Sequence, residues 1–265
     1  MVYTRTPYYY EGGAESAIIS DLIHLIIMRN LIDNTSETGA IAPPARTGLS
    51  SDEIYGQVRE MAARFEFKPN ERINEIELSK TLMVSRTPLR EVLNRLMVEG
   101  FLTRTHNKGF IGRALDAKEI LDLYEFRRGV ERFALELACK CATEEGLDDL
   151  ERFTQSSIDV DEDEDASKLL ALDEEFHIRI ARLSGNCETV RVLQNINARI
   201  RYIRWIDMQK RRSYTQSEHM AIVKALRERS VESSVLLDKH ITLRIDQIVE
   251  VVKAGYAEIY TRKKA

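Results

Sequence analysis

All five prolines of this 265-residue chain lie at or before Pro88, and the stretch 114–262 contains none. Proline lacks the backbone donor a helix needs and clashes with the preceding turn, so its exclusion from so long a run permits extended helices. Only four glycines, Gly129, Gly146, Gly185 and Gly255, fall in that stretch, and apolar residues recur in it at helical spacing. The expectation for 114–262 is an all-α antiparallel bundle with short loops.

The remaining residues differ in texture. Residues 51–113 combine short helical patterns with one turn-rich hairpin. Residues 1–50 hold a single apolar-periodic stretch, about 16–31, between Gly12-Gly13 and a Gly/Pro/Ala/Thr-rich tail, which predicts an accessory helix on a flexible tether. The predicted fold class is mainly α: an N-terminal winged helix-turn-helix with a small β-hairpin wing, then the helical bundle.

Within 51–113, helix one starts at Ser50/Ser51 with Asp52 and Glu53 in its first turn and carries Ile54, Val58, Met61, Ala62 and Phe65. A second, short helix holds Leu78 and Leu82, and the chain breaks at Met83-Val84. A third begins near Ser85, whose hydroxyl can cap it. Its Leu89, Val92, Leu93, Leu96 and Met97 form a buried stripe. Thr87, Arg90 and Asn94 point away from that stripe and Arg86 sits at its N-terminal margin, so two guanidiniums and a hydroxyl stand at the front of the helix, where a recognition helix meets base edges and phosphates.

Two strand-like runs, 101–105 and 110–113, then flank His106-Asn107-Lys108-Gly109, a wing with a basic tip. The chain carries a net charge of −4 at pH 7, which argues against a generally basic coat. From Lys80 to Arg113, however, seven basic residues face two acids. A local basic face is what groove binding requires.

The bundle carries chemistry of another kind. Arg127 lies on the apolar stripe of Leu123, Val130, Ala134, Leu137 and Cys141, and a buried guanidinium must be paired. An internal ion pair, for example with Glu131, and a clamp for a carboxylate ligand both satisfy that need. Asp173 and His177 are one helical turn apart, on a face with Leu169, Ile180 and Ser184. His219 shares a stripe with Ile222, Val223 and Leu226, and His240 falls near Leu237, Ile248 and Val251. Three inward histidines plus an aspartate make a metal-site composition that suits zinc first, and also nickel, manganese or iron. Asn197 is placed with Leu193 and Ile200 and is expected to face the same cavity. The acidic run Asp159 to Asp165 lacks the spacing of a calcium loop and reads as a solvated segment.

Residues 51–113 resemble the GntR superfamily of bacterial regulators, and Val84-Ser85-Arg86-Thr87-Pro88-Leu89-Arg90-Glu91 is similar to its recognition-helix motif. The resemblance implies DNA contacts from Ser85, Arg86, Thr87 and Arg90, and from His106, Lys108 and Gly109 of the wing. Asn70 stands where the family has glycine; asparagine tolerates the left-handed backbone such a turn needs. Residues 115–255 resemble the FCD ligand-binding domain of the FadR subfamily. That resemblance implies a divalent metal held by Asp173, His177, His219 and His240 beside Arg127.

The function expected is a ligand-responsive transcriptional regulator, with repression as its first reading and no catalytic residues. As a homodimer it would place two recognition helices on a palindromic double-stranded operator, and its effector would be a small organic acid. Two other classes fit parts of the pattern. In a metal-dependent hydrolase Glu174 or Glu175 would serve as base, but both point off the Asp173 face. In the other, the bundle of a DNA-binding protein would only dimerise. Three cysteines, Cys139, Cys141 and Cys187, form no redox or zinc spacing. The apolar run 17–28 is too short to span a membrane and lacks signal-peptide flanks. A reduced cytoplasmic protein without membrane contact is expected.

Overall fold

The computed structural model describes residues 49–105, 109–158, 165–209, 215–242 and 245–261. The extension with its accessory helix, the wing residues His106 and Lys108, and most of the acidic run lie outside the described residues.

Among the described residues the order is α1 (Ser51–Ala63), α2 (Glu75–Thr81), α3 (Arg86–Val98), β1 (Leu102–Thr105), β2 (Gly109–Gly112), α4 (Ala117–Cys141) and α5 (Glu144–Ile158). There follow α6 (Ala166–Leu183), α7 (Cys187–Met208), α8 (Thr215–Arg227), α9 (Glu232–Ile241) and α10 (Ile245–Thr261). The chain is a winged helix-turn-helix followed by a helical domain, the latter as its proline distribution predicts.

Local chemistry sets the first boundaries. Ser50 and Glu53 form a capping box at the start of α1: the Ser50 N–H donates to Glu53 Oε2 at 2.7 Å, and the Glu53 N–H donates to Ser50 Oγ at 3.3 Å. Asn74 caps α2 by accepting from the N–H groups of Ile76 and Glu77. Ser85 is the N-cap residue of α3, yet its side chain makes no capping hydrogen bond. The hydroxyl expected to close that helix is left exposed at its front end.

Ile54, Val58, Leu89, Leu93 and Leu96 are buried with Phe101 and Phe110 in one core, so α1, α3 and the hairpin form a unit. β1 and β2 pair antiparallel with Leu102 opposite Gly112 and Thr105 opposite Gly109. The turn after α1 adds a third edge to this ribbon: Asn70 N–H donates to Gly112 O, and Ile73 N–H donates to Phe110 O. Asn70 has φ 61°, the left-handed conformation its identity allows.

In the helical domain α4 pairs with α6 and α7, and α8 packs between α5 and α9. Its apolar residues divide into two main clusters. One joins Leu123, Ile200, Ile203, Ile248 and Val251; the other joins Leu135, Leu147, Phe176, Ile222, Leu226 and Leu237.

Two expectations shift. The buried face of α4 runs through Leu123, Tyr124, Arg127, Glu131, Ala134, Leu135 and Ala138, while Cys141 is exposed and Val130 and Leu137 are half-buried. The face therefore turns toward Glu131, because the helix packs on both α6 and α7, and those partners rather than the apolar pattern alone set which side is enclosed. His240 also belongs to a separate helix from Ile248 and Val251: α9 closes at Thr242, whose backbone extends with ψ 114°.

Gly112 admits no side chain. A Cβ there would sit within 3.0 Å of the carbonyl oxygens of Phe67 and Lys68, which are backbone atoms fixed by the third edge. Gly112→Ala is expected to destabilise the winged unit by about 1–3 kcal/mol, the usual cost of overpacking. Thermal melts read this directly, and an unaltered Tm would refute the close approach.

Candidate functional site

Two places gather the chemistry. The first is the front of α3. Ser85, Arg86, Thr87 and Arg90 are all exposed, on the face opposite the buried Leu89, Val92, Leu93 and Leu96. Arg90 is steadied by Glu75, whose Oε2 lies 3.2 Å from its Nε. The guanidinium nevertheless stays half exposed. Gly109 opens β2 with φ 71°, a left-handed value that favours glycine.

The second place is where α4, α6, α7, α8 and α9 meet. Asp173 and His177 project from α6, His219 from α8 and His240 from α9. One ligand atom from each of the four lies within 4.8 Å of all the others. The three Nε2 atoms converge: His177 to His240 is 3.2 Å and His219 to His240 is 3.1 Å. Asp173 Oδ1 lies 3.5 Å from His219 Nε2 and 3.8 Å from His240 Nε2. Phe176 stacks on the His219 ring at 3.7 Å between centroids and walls the cluster on its apolar side.

The outer ring nitrogens are held by carboxylates. His177 Nδ1 is 2.5 Å from Glu131 Oε2, and His240 Nδ1 is 2.8 Å from Glu218 Oε2. A carboxylate at Nδ1 keeps the proton there and turns the Nε2 lone pair inward, the arrangement that orients metal-binding imidazoles. The Nε2 separations suit a single ion at about 2.0–2.1 Å from each nitrogen. The residues fit a divalent cation.

Electrostatics keep these groups in ligating form. Burial lowers the His177 imidazole to about 4, against the raising influence of Glu131; it lowers His219 as well, against Asp173. Both rings are neutral at pH 7. Burial opposes the charge of Asp173, but Arg204, His177 and His219 outweigh it and hold the carboxyl well below its usual range. Glu131 behaves alike: burial raises it, and Arg127 and His177 bring it down to about 2.

Arg127 pairs through Nε with Glu131 Oε1 at 2.5 Å, both side chains 3 % exposed. The ion pair and the clamp are not exclusive, because Arg127 Nη2 remains buried without a hydrogen-bond partner. Asn197 departs from expectation. It is buried, both of its amide atoms lack partners, and it lines a cleft whose walls, among the described residues, hold none of the four ligating side chains.

Three residues escaped the sequence reading, and a fourth was read only in part. Arg204 on α7 is buried and ion-paired with Asp173. Glu218 holds His240, and Tyr124, its hydroxyl pushed up to about 12 by burial, sits in the field of Arg204 and Arg127. Glu131 was noticed only as a partner for Arg127, yet it also holds His177. Arg204 did carry a signal: it lies on the apolar face of Ile196, Ile200 and Ile203.

The pH dependence of stability follows from His177. The unfolded chain takes up this proton near 6.5 and the folded chain only near 4. The stability given by the buried neutral ring is therefore present above 6.5 and lost as pH falls toward 4. Glu131, ordinarily near 4.5, adds a further loss as pH falls from there toward 2. Metal-stripped protein is expected to show a Tm that declines between pH 6.5 and 4.5, with a shallower slope in His177→Gln. A flat profile across that window would sink the assignment of a buried neutral imidazole.

Residues 50–111 match the family of bacterial regulatory proteins, gntR family, and residues 122–242 match the FCD domain. The chain is 45% identical over 203 residues to the Nta operon transcriptional regulator of Aminobacter aminovorans, covering 76% of this chain and 96% of that one. It is 29% identical over 185 residues to the HTH-type regulator YdhC of Bacillus subtilis, covering 69% and 83% respectively. A solved putative GntR regulator from Rhodococcus shares the fold, with a TM-score of 0.59 at 20% identity over 77% of this chain and 98% of that one. No helix among the described residues is long and apolar enough to cross a membrane. The winged helix-turn-helix, the FCD domain and these relatives together make the chain a transcriptional regulator, not an enzyme, and a member of the GntR family.

Proposed function

We propose that this regulator binds a palindromic operator as a homodimer through residues 51–113, and that residues 114–262 dimerise and sense a small organic acid beside a divalent metal. The carrying observation is the convergence of three imidazole Nε2 atoms on the Asp173 carboxylate, with those of His177 and His219 lying 3.2 and 3.1 Å from that of His240. Asp173, His177, His219 and His240 are the proposed ligands, with zinc the first candidate and nickel, manganese or iron also suited. Such an ion would supply a Lewis-acidic centre with positions left for water or a carboxylate. Arg127 is the residue we assign to orient the effector carboxylate, because its buried Nη2 is unspent.

At the operator, Arg86, Thr87 and Arg90 are assigned to base edges and phosphates, with Ser85 at the helix front and His106, Lys108 and Gly109 on the wing. A run of ion pairs joins the two places. Arg204 bridges Asp173 and Glu174, and Arg201 bridges Glu174 and Glu60 on α1, at 3.4 and 3.8 Å. A change of charge at Asp173 is thereby felt by the first helix of the DNA-reading unit. Coupling of about 1–3 kcal/mol suffices for allosteric control, and it is reciprocal: an effector that weakens operator binding binds the DNA complex less well. Repression is the direction we assign, since occupying an operator blocks access without further contacts.

Arg86→Ala and Arg90→Ala are each expected to weaken specific operator binding by about 1–3 kcal/mol or more, with Tm and metal content unchanged. Gel-shift titration checks this, and wild-type affinity would refute the interface. His177→Ala with His219→Ala is expected to abolish bound metal in elemental analysis and to blunt the thermal shift given by carboxylic acids. Full metal stoichiometry in that double variant would refute the site. Metal-free wild-type protein with intact DNA affinity would favour a bundle that only dimerises.

A further inference from the structure

A cleft of about 1060 Å³ separates α1 and α3 from α6 and α7, and its lining includes Tyr55, Arg59, Arg95, Asn197 and Arg199. We infer that it is a second small-molecule site, distinct from the metal cluster, for an organic polyanion such as a di- or tricarboxylate or a phosphorylated acid. Its volume lies just above the range of about 300–1,000 Å³ common for small-molecule pockets, enough room for a small organic ligand with water.

The walls hold hydrogen-bonding groups that the chain leaves unspent. Asn197 is 4% exposed, and neither its Nδ2 nor its Oδ1 has a partner. The Nε atoms of Arg59 and Arg199 are likewise buried and unpartnered. Burying an amide without partners is unfavourable, and a ligand that supplied those partners would remove the cost.

Charge sets the class of that ligand. The lining includes six arginines against three glutamates. Five of the six arginines are answered by carboxylates: Arg95 by Glu99 at 3.0 Å, Arg199 by Glu119 at 2.9 Å, Arg182 by Glu175 at 2.8 Å, Arg191 by Glu188 at 2.5 Å and Arg201 by Glu174 at 3.4 Å. Among the described residues Arg59 is in no carboxylate ion pair; its guanidinium carbon lies 5.0 Å from the Phe101 ring centroid. The unspent acceptors are Asn197 Oδ1 and Glu174 Oε1, and the latter is ion-paired with Arg204 at 3.5 Å. On the lining itself arginines outnumber glutamates and the unspent Nε donors of Arg59 and Arg199 join the Asn197 amide, so the complementary molecule carries anionic oxygens.

The test is calorimetric titration of the full-length protein with citrate and, separately, with 3-phosphoglycerate; the two arms distinguish carboxylate from phosphate recognition. At least one is expected to bind saturably, and Asn197→Leu and Arg59→Met are each expected to weaken it tenfold or more. Asn197→Leu keeps the side-chain volume and removes both orphaned atoms, so its Tm without ligand should equal or exceed wild type. The His177→Ala, His219→Ala double variant should keep this binding while losing metal, which separates the cleft from the metal-site reading. The inference is overturned if neither probe binds saturably, if both cleft variants bind as wild type, or if binding disappears only with the metal ligands.

Discussion

Asp173 is a carboxylate enclosed by helices, and an isolated buried charge of that kind is costly enough to unfold a small domain. It is tolerated because Arg204 reaches it from α7 and three imidazoles from α6, α8 and α9 face it. Removing either the charge or its answers would leave the other unpaired. The packing of those helices around one point is therefore tied to a polar centre rather than to apolar contact alone. Glu131 repeats the logic one layer out, shared between Arg127 and His177. What results is a network in which Asp173 and Glu131 each have a guanidinium neighbour, and carboxylates at Nδ1 of His177 and His240 turn their Nε2 lone pairs inward.

The same constraint reaches the DNA-reading unit through α7. Arg204 faces Asp173, Arg201 leans on Glu60 of α1, and Ala198 packs against the core of the winged unit. Arg199 pairs with Glu119, while its backbone carbonyl accepts from Arg113, which follows β2. Arg113 is itself buried over the Phe65 ring at 4.5 Å, and burial lowers its guanidinium to about 10. One stiff helix thus touches the polar centre, the first helix and the base of the wing.

Much of this was legible in the sequence because it is local. Helix spacing placed Asp173 and His177 on one face, caps marked the start of α1, and the residues of α3 divided cleanly between a buried stripe and an exposed front. Asn70 was read as a left-handed turn residue and adopts φ 61°. The errors were also local in origin. The α4 stripe was drawn through Leu137 and Cys141, where the helix instead turns Glu131, Leu135 and Ala138 inward. Periodicity tracks a face only to within one residue per turn, and the partner helices decide the rest. Asn197 was assigned to the metal cavity on the same grounds and lines the cleft.

The sequence by itself determined the order of elements, the residues that share each helix face, and the composition of the polar cluster. These follow from short-range geometry, 3.6 residues per turn and the backbone demands of proline, glycine and asparagine. It did not determine that α6, α8 and α9 would bring three Nε2 atoms together, that Arg204 would answer Asp173, or that Glu218 would hold His240 from 22 residues away. Those are distances between helices, and no spacing along a chain encodes them. Only the packing of the helices, each turned by the others, decided which buried charges would meet.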